Sequence, residues 1–440
     1  MSVLTDPAGK LAPPGNSPTR IRWIVFLLAC GTSFLTYIHR YSWGVARPYL
    51  KEESGLSDTD LGWLDAAFSL TYALGQFPGG WLGDRYGPRL VITFAVVAWS
   101  LAAASPAFFG GVKNLLAGRL IFGLVQAPSY PNLGKVTRSW FPLSIRTSVQ
   151  GMVAGFAGRA GAGLAPILMA TVLIGVCGVS WQTAICILAS AGLLFAVVFW
   201  FGFRNRPAEH PLANEAEQRL VQGSEINEAT SKTRFHWSRA NVVNFAIFMV
   251  TSFCATFADN LFVFWMPQYL VEEKGLGPYE MGLFASLPLW GGALGGMCGG
   301  VLNDLMIRLL GNRRWARSLV ASTGMGLAAV FMLASLYFEN GRYVMLVLFF
   351  CKFFFDWGQP TWWGTVTDIG GPASGRVFGV LNMCGALGAT VAGPAMGLVK
   401  MTYGFPTLFG FVAVVYVVAA FLWLCLNCTR TLVVAADDQE

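Results

Sequence analysis

Two stretches decide the fold: YLKEESGLSDTDLG at 49–62 and YLVEEKGLGPYEMG at 269–282. They lie 220 residues apart, and seven of their fourteen positions are identical. Each is a short charged loop that closes one long apolar run and opens the next. The match continues without a gap: Ala73-Leu74-Gly75 falls on Ala293-Leu294-Gly295, and Gly79, Gly80, Leu82 and Asp84 fall on Gly299, Gly300, Leu302 and Asp304. Further along, at an offset of 228, Gly151 falls on Gly379 and Pro166 on Pro394. The chain is therefore a duplication, and the spans that flank these loops give the size of the unit.

Apolar runs fall at 23–46, 59–82, 90–110, 114–136, 148–174 and 181–203, then at 242–270, 281–303, 317–338, 343–367, 376–400 and 405–427. Each is close to the roughly 20 residues that cross a bilayer. Composition agrees: 55% of the 440 residues are hydrophobic, only 12% are charged, and mean hydropathy is +0.55. A soluble surface needs about twice that charged share, so soluble fold classes are excluded. The expected fold is an all-α integral membrane protein of twelve transmembrane helices in two pseudo-symmetric six-helix halves. The expected divisions are a tail 1–22, a bundle 23–203, a polar linker 204–239, a bundle 240–427 and a tail 428–440. Six spans preserve orientation, so the halves are parallel repeats with a substrate site expected between them near midplane.

Lys and Arg set the topology. Nineteen fall on the side of the tails and linker, including Lys10, Arg85, Arg89, Arg138, Arg314 and Arg430. Six fall on the other side: Arg47, Lys51, Lys113, Lys274, Arg342 and Lys400. The positive-inside rule then places both termini and the linker in the cytoplasm, and the chain in the cell inner membrane. Residues 1–20 are polar and Pro-rich, so no signal peptide is expected. The net charge of +7 belongs to these loops and gives no reason to expect nucleic acid. The nine Cys lie almost all in apolar runs, as small hydrophobes do, and the lone Cys425-x-x-Cys428 cannot complete a zinc site. No metal, cofactor or nucleophile–base set is expected at membrane depth, which argues against an enzyme.

The loop GGWLGDRYGPR at 79–89 resembles the signature loop of the major facilitator superfamily, with Gly80, Asp84, Arg85, Gly87 and Arg89 in the matching places. A narrower resemblance, to the anion:cation symporters that carry sugar acids, rests on Arg40, on GRLIFGLVQAPSYPNLGKVTRSWFPLSIR at 118–146 and on FGVLNMCGALGATVAGPAMG at 378–397. It implies a monomeric carrier that imports a small organic anion by alternating access, coupled to a proton or to sodium. Uncoupled or exchange transport, or export of drugs or metabolites, stand as alternatives. It also implies that Arg40, Tyr72, Gln359, Thr361, Trp362 and Asn382 touch substrate. Tyr37 and Gln126 join them on depth and polarity. Relatives of this kind carry an Asp and a Glu where this chain has His39 and Gln126, so the two acidic coupling positions are missing.

A charge in the middle of a spanning helix costs about 2.5–3.5 kcal/mol and tends to mark function. Arg40 is read as a carboxylate clamp or as a cation snorkelling to the interface. His39 is either a proton carrier or a neutral, hydrogen-bonded imidazole. The 220 offset places Asp259 and Asn260 level with His39 and Arg40, making Asp259 a coupling candidate or the partner of Lys352 or Arg159. Lys352 and Asp356, at i and i+4, read as a self-satisfied pair. Arg159 reads as a second cation unless an acid cancels it. Asp84, with Arg85, Arg89, Gly80 and Gly87, is expected to gate by bonding the start of span eleven near Ser374–Arg376.

Overall fold

The helices begin and end where the sequence supplies caps. Ser57 opens the second with a capping box: its Oγ accepts from Asp60 N at 3.0 Å, and the Asp60 carboxylate accepts from Ser57 N at 3.0 Å. Ser180, Ser238, Asn312 and Asn340 cap later helices in the same way. Gly404, at φ 80°, breaks a 52-residue helical run into two, a conformation that a side chain would strain.

The computed structural model describes residues 17–222, 233–235, 238–371 and 374–435. They form twelve helical rods. In the first half these are α1 (Ile21–Ser54), α2 (Asp58–Tyr86), α3 (Pro88–Ala104), α4 (Val112–Gln126 continuing as Ser129–Trp140), α5 (Leu143–Gln150 running through π turns to Val176) and α6 (Trp181–Gly202). The second half has α7 (Arg239–Glu272), α8 (Pro278–Leu310), α9 (Arg313–Ala334), α10 (Gly341–Trp357 continuing as Gln359–Gly370), α11 (374–403) and α12 (405–425). Eight stretches among the described residues are long and apolar enough to cross a membrane, one of them covering both α11 and α12. The breaks near Ala127 and Gly358 shorten the pieces of α4 and α10, and α2 is rich in acids.

The repeat is visible in packing. A Cβ on Gly161 of α5 would come within 2.3 Å of the Phe34 carbonyl of α1, and one on Gly388 of α11 within 2.3 Å of the Phe253 carbonyl of α7. Small residues let backbones touch at equivalent places in both halves. The halves themselves meet at the end that carries Ser57 and Gly404, here the far end. There Gly62 of α2 and Gly393 of α11 lie so close that a Cβ on either would fall 2.2–2.3 Å from the other's carbonyl oxygen. Thr171 Oγ1 of α5 donates to Tyr279 O of α8 at 2.9 Å. At the opposite, linker end, a Cβ on Gly151, Gly155 or Gly379 would meet no atom within 4 Å. The close backbone contacts between the halves thus lie at the far end.

One expectation is corrected, and two features are added. First, α1 runs to Ser54, well past 46, so Arg47 is a fully buried helical residue and not a loop cation. Second, the linker holds a helix. Its helix Glu215–Gln222 sets the Glu217 carboxylate against the start of α1, where it accepts from Arg20 N at 3.0 Å and Arg22 N at 3.1 Å. The first N–H groups of a helix need such an acceptor, and the helix dipole favours an anion there. Third, a small antiparallel strand pair joins the otherwise all-α fold: β1 (Thr233–Phe235) pairs with β2 (Val433–Ala435), tying linker to tail. Residues 1–16, much of the linker and the last five residues lie outside the described residues, and with them Lys10.

Candidate functional site

Arg40 is the twentieth residue of the 34 in α1 and faces the middle of the molecule. Its Nε and Nη2 donate to one oxygen, Gln126 Oε1 of α4, at 3.2 and 2.9 Å. Gln126 is itself oriented by donating Nε2 to Thr36 O at 3.0 Å. Three rings surround the guanidinium: Tyr72 at 4.6 Å, Phe68 at 5.1 Å and Tyr37 at 5.3 Å from centroid to carbon. Such faces attract a cation without neutralising it. No carboxylate pairs with Arg40 among the described residues. It is a positioned, uncancelled positive charge with an aromatic wall.

The other embedded charges cancel. Asp259 of α7 bonds Lys352 Nζ at 2.5 Å, Lys352 bonds Asp356 at 2.7 Å one turn along α10, and Asp356 bonds Arg159 of α5 at 2.7 Å. Two cations and two anions form one neutral chain. Its last link crosses from one half to the other. Lys352 and Asp356 are fully buried, whereas Asp259 and Arg159 keep 25% and 21% of their side chains exposed.

Of the remaining candidates, Asn382 of α11 donates to Gln76 Oε1 of α2 at 2.7 Å, another bond between the halves. Trp362 is half-buried and donates Nε1 to Ser252 Oγ at 2.8 Å, so its ring is held beside α7. Gln359 is half-buried at the start of the second α10 piece. Thr361 faces no open space. It is fully buried and donates to Asn303 Oδ1 of α8 at 3.2 Å. His39 also turns away from Arg40. Its Nε2 bonds Leu188 O of α6 at 2.9 Å, and its Nδ1 accepts from Trp99 Nε1 of α3 at 2.9 Å. Adjacent residues on a helix point about 100° apart, so His39 and Arg40 cannot share a face. These two bonds suit a neutral, hydrogen-bonded imidazole.

The loop residues stay within the first half. Asp84 is 71% exposed and pairs with Lys135 of α4, not with Ser374–Arg376. Lys135 also donates to Gly80 O. Arg85 lies over Trp81 and Tyr86. Arg89 donates to Trp200 O at 3.0 and 2.8 Å, holding the end of α6. Gly87, at φ 80°, makes the turn and packs on Asn205.

Two clusters were not anticipated. Asp65 of α2, fully buried, accepts from Arg47 at 2.6 Å and from Trp43 Nε1 at 2.7 Å, with Arg119 at 3.9 Å. At the far end, Lys51 and Asp58 of the first half meet Glu272 and Lys400 of the second. Lys51 bonds Asp58 at 2.8 Å and Glu272 at 2.7 Å, and Lys400 bonds both acids at 2.6 Å. Gln268 adds bonds to both acids, at 2.6 and 2.9 Å. Lys51 and Lys400 had counted only as topology charges. An acid within an apolar run, Asp65, was the available signal for the first cluster.

The model of the Major Facilitator Superfamily matches residues 29–392. The chain belongs to that superfamily. Among similar superfamily members is the probable sulfoacetate transporter SauU of Cupriavidus necator, 28% identical over 82% of this chain and 84% of its own length. The probable galactarate/D-glucarate transporter GudP of Bacillus subtilis is 30% identical over 81% and 80%. The D-galactonate transporter of Escherichia coli O6:H1 is 25% identical over 93% and 96%. These superfamily relatives are transporters, not enzymes. Among solved structures, a bacterial homolog to the human lysosomal transporter Spinster, inward-facing and occupied, superposes with a TM-score of 0.75 at 15% identity, covering 95% of this chain and 98% of that one. The shared fold is that of a multi-pass membrane protein.

Proposed function

We propose that the chain imports a small organic acid, of the sugar-acid type, across the cell inner membrane with its termini in the cytoplasm, by proton-coupled alternating access. The observation that carries this reading is Arg40: a guanidinium at membrane depth, bonded to a neutral amide and ringed by Tyr72, Phe68 and Tyr37. A bidentate fork of this kind suits a carboxylate, and the rings and Asn382 suit the hydroxylated remainder. The named cargoes of the relatives support an organic anion. They include one-acid molecules such as galactonate and two-acid molecules such as galactarate, so they leave the charge of the cargo open.

The proton is assigned to Asp259. His39 and Gln126 are each committed to bonds within the first half, whereas Asp259 keeps a quarter of its side chain open. The groups that face it are Lys352 of α10, Arg159 of α5, Tyr41 of α1 and Tyr416 of α12. Uncoupled transport is the second reading, favoured by the self-neutralised charge chain.

The test is uptake of labelled sugar acids into proteoliposomes, with and without an inward proton gradient. Accumulation above equilibrium that Arg40→Ala abolishes and Asp259→Asn reduces to equilibration is the expected result. Arg40-dependent uptake that only equilibrates in the wild type retires the proton. Uptake that ignores Arg40→Ala retires the anion site.

A further inference from the structure

We infer that Arg159 is a second anion anchor, held in reserve by Asp356, and that the carrier accepts a small dianion, a molecule with an acidic group at each end, in preference to a monoanion. This rests on the reading of Arg40 as the first carboxylate clamp.

Arg159 is built to change partners. It belongs to α5 of the first half, and its bond to Asp356 at 2.7 Å is made to the second half. Arg159 retains 21% exposure while Asp356 has none, so a ligand can reach the cation and not the acid. Only Nη2 bonds Asp356, and among the described residues the other guanidinium N–H groups have no protein partner. A guanidinium offers five N–H donors in a planar fork, so most of its capacity is unused. Asp356 would not be stranded by the exchange, because its second oxygen already holds Lys352 at 2.7 Å. The Arg47–Asp65 pair is a useful contrast. It has the same chemistry but zero exposure on both partners, so no ligand reaches it.

Arg159 also shares a wall with Arg40. Tyr37 and Tyr41 both act on the Arg159 guanidinium, and Arg40 lies 5.3 Å from the Tyr37 ring. A short molecule with acids at both ends can therefore bridge the two guanidinium groups, each gripping one end.

The charge balance follows. Before binding, Asp259, Lys352, Asp356 and Arg159 sum to zero. When a substrate acid takes Arg159, one lysine is left between two aspartates, an excess of one negative charge in a buried site. One proton on Asp259, the site proposed above, restores neutrality. Binding of a dianion thus calls for a proton in a way that binding of a monoanion at Arg40 alone does not.

The experiment compares galactarate, a six-carbon diacid, with galactonate, its monoacid counterpart, by calorimetric binding to the full-length protein in detergent. The wild type is expected to bind galactarate at least tenfold tighter. Arg159→Gln should lower galactarate affinity at least tenfold and leave galactonate within twofold. Arg159→Lys should keep part of the preference and serves as the folding control. Asp356→Asn should tighten galactarate at least threefold by releasing Arg159. Galactonate bound as tightly as galactarate by the wild type, or both weakened alike by Arg159→Gln, overturns the inference and leaves the Arg40 reading standing. No binding of either acid by the wild type takes down both.

Discussion

Arg40 and Gln126 together define the chemistry at the scale of single residues. Gln126 orients the guanidinium without consuming its charge, since an amide oxygen accepts two hydrogen bonds and returns no negative charge. Gln126→Glu should therefore turn a free clamp into an internal ion pair. Anion affinity is expected to fall at least tenfold at pH 7.5 and to recover as pH drops and the introduced carboxylate protonates, read by calorimetry across pH. Asp65 is a residue of a different kind. It holds Arg47 and Trp43 with no exposure, and leaving the two nearby cations without it costs about 3–5 kcal/mol. Asp65→Asn should lower the thermal unfolding midpoint in detergent sharply while adding nothing to substrate selectivity. Arg40 and Gln126 were legible in the sequence because a charge and an amide stood where apolar residues were due. The direction in which His39 points was not legible. It depends on which neighbours α3 and α6 bring to that face of α1, and Trp99 and Leu188 are distant in the chain.

At the scale of elements, the close approach of α2 and α11 sets how tightly the far end can shut. Gly393→Leu would drive a side chain into the Gly62 carbonyl, where even a Cβ would lie at 2.2 Å. The expected outcome is a protein that folds but cannot close this end. Spin labels at Ser54 and Glu273 should report a longer distance, and uptake should be lost. The rods themselves were readable from apolar runs and caps, and the repeat was readable from 49–62 and 269–282. What escaped was the depth of individual charges. Arg47, Lys51 and Lys400 read as loop residues because positive-inside counting treats a cation near a span end as a topology signal. The helices carry on past those ends, and acids from other helices then meet the cations: Asp65 for Arg47, Asp58 and Glu272 for the two lysines. Such pairing depends on tertiary structure and leaves no local pattern.

For the whole molecule, the Lys51, Asp58, Glu272 and Lys400 square is the bond that any opening at the far end must break. All four lie partly in reach of water, so their attraction is screened by salt. Lys400→Glu would leave one cation among three acids. The same Ser54–Glu273 label pair should then shift toward the longer distance, and high salt should produce a weaker version of that shift in the wild type. This square and the Arg159 chain share a property: each holds two positive and two negative charges. The two part differently. Separating the halves at the square leaves one lysine and one acid on each side, so that link moves no net charge through the membrane's electric field, which acts on unbalanced charge at about 2.3 kcal/mol per elementary charge per 100 mV. At the Arg159 link the first half keeps one positive charge and the second one negative, so voltage has its grip there and not at the far end.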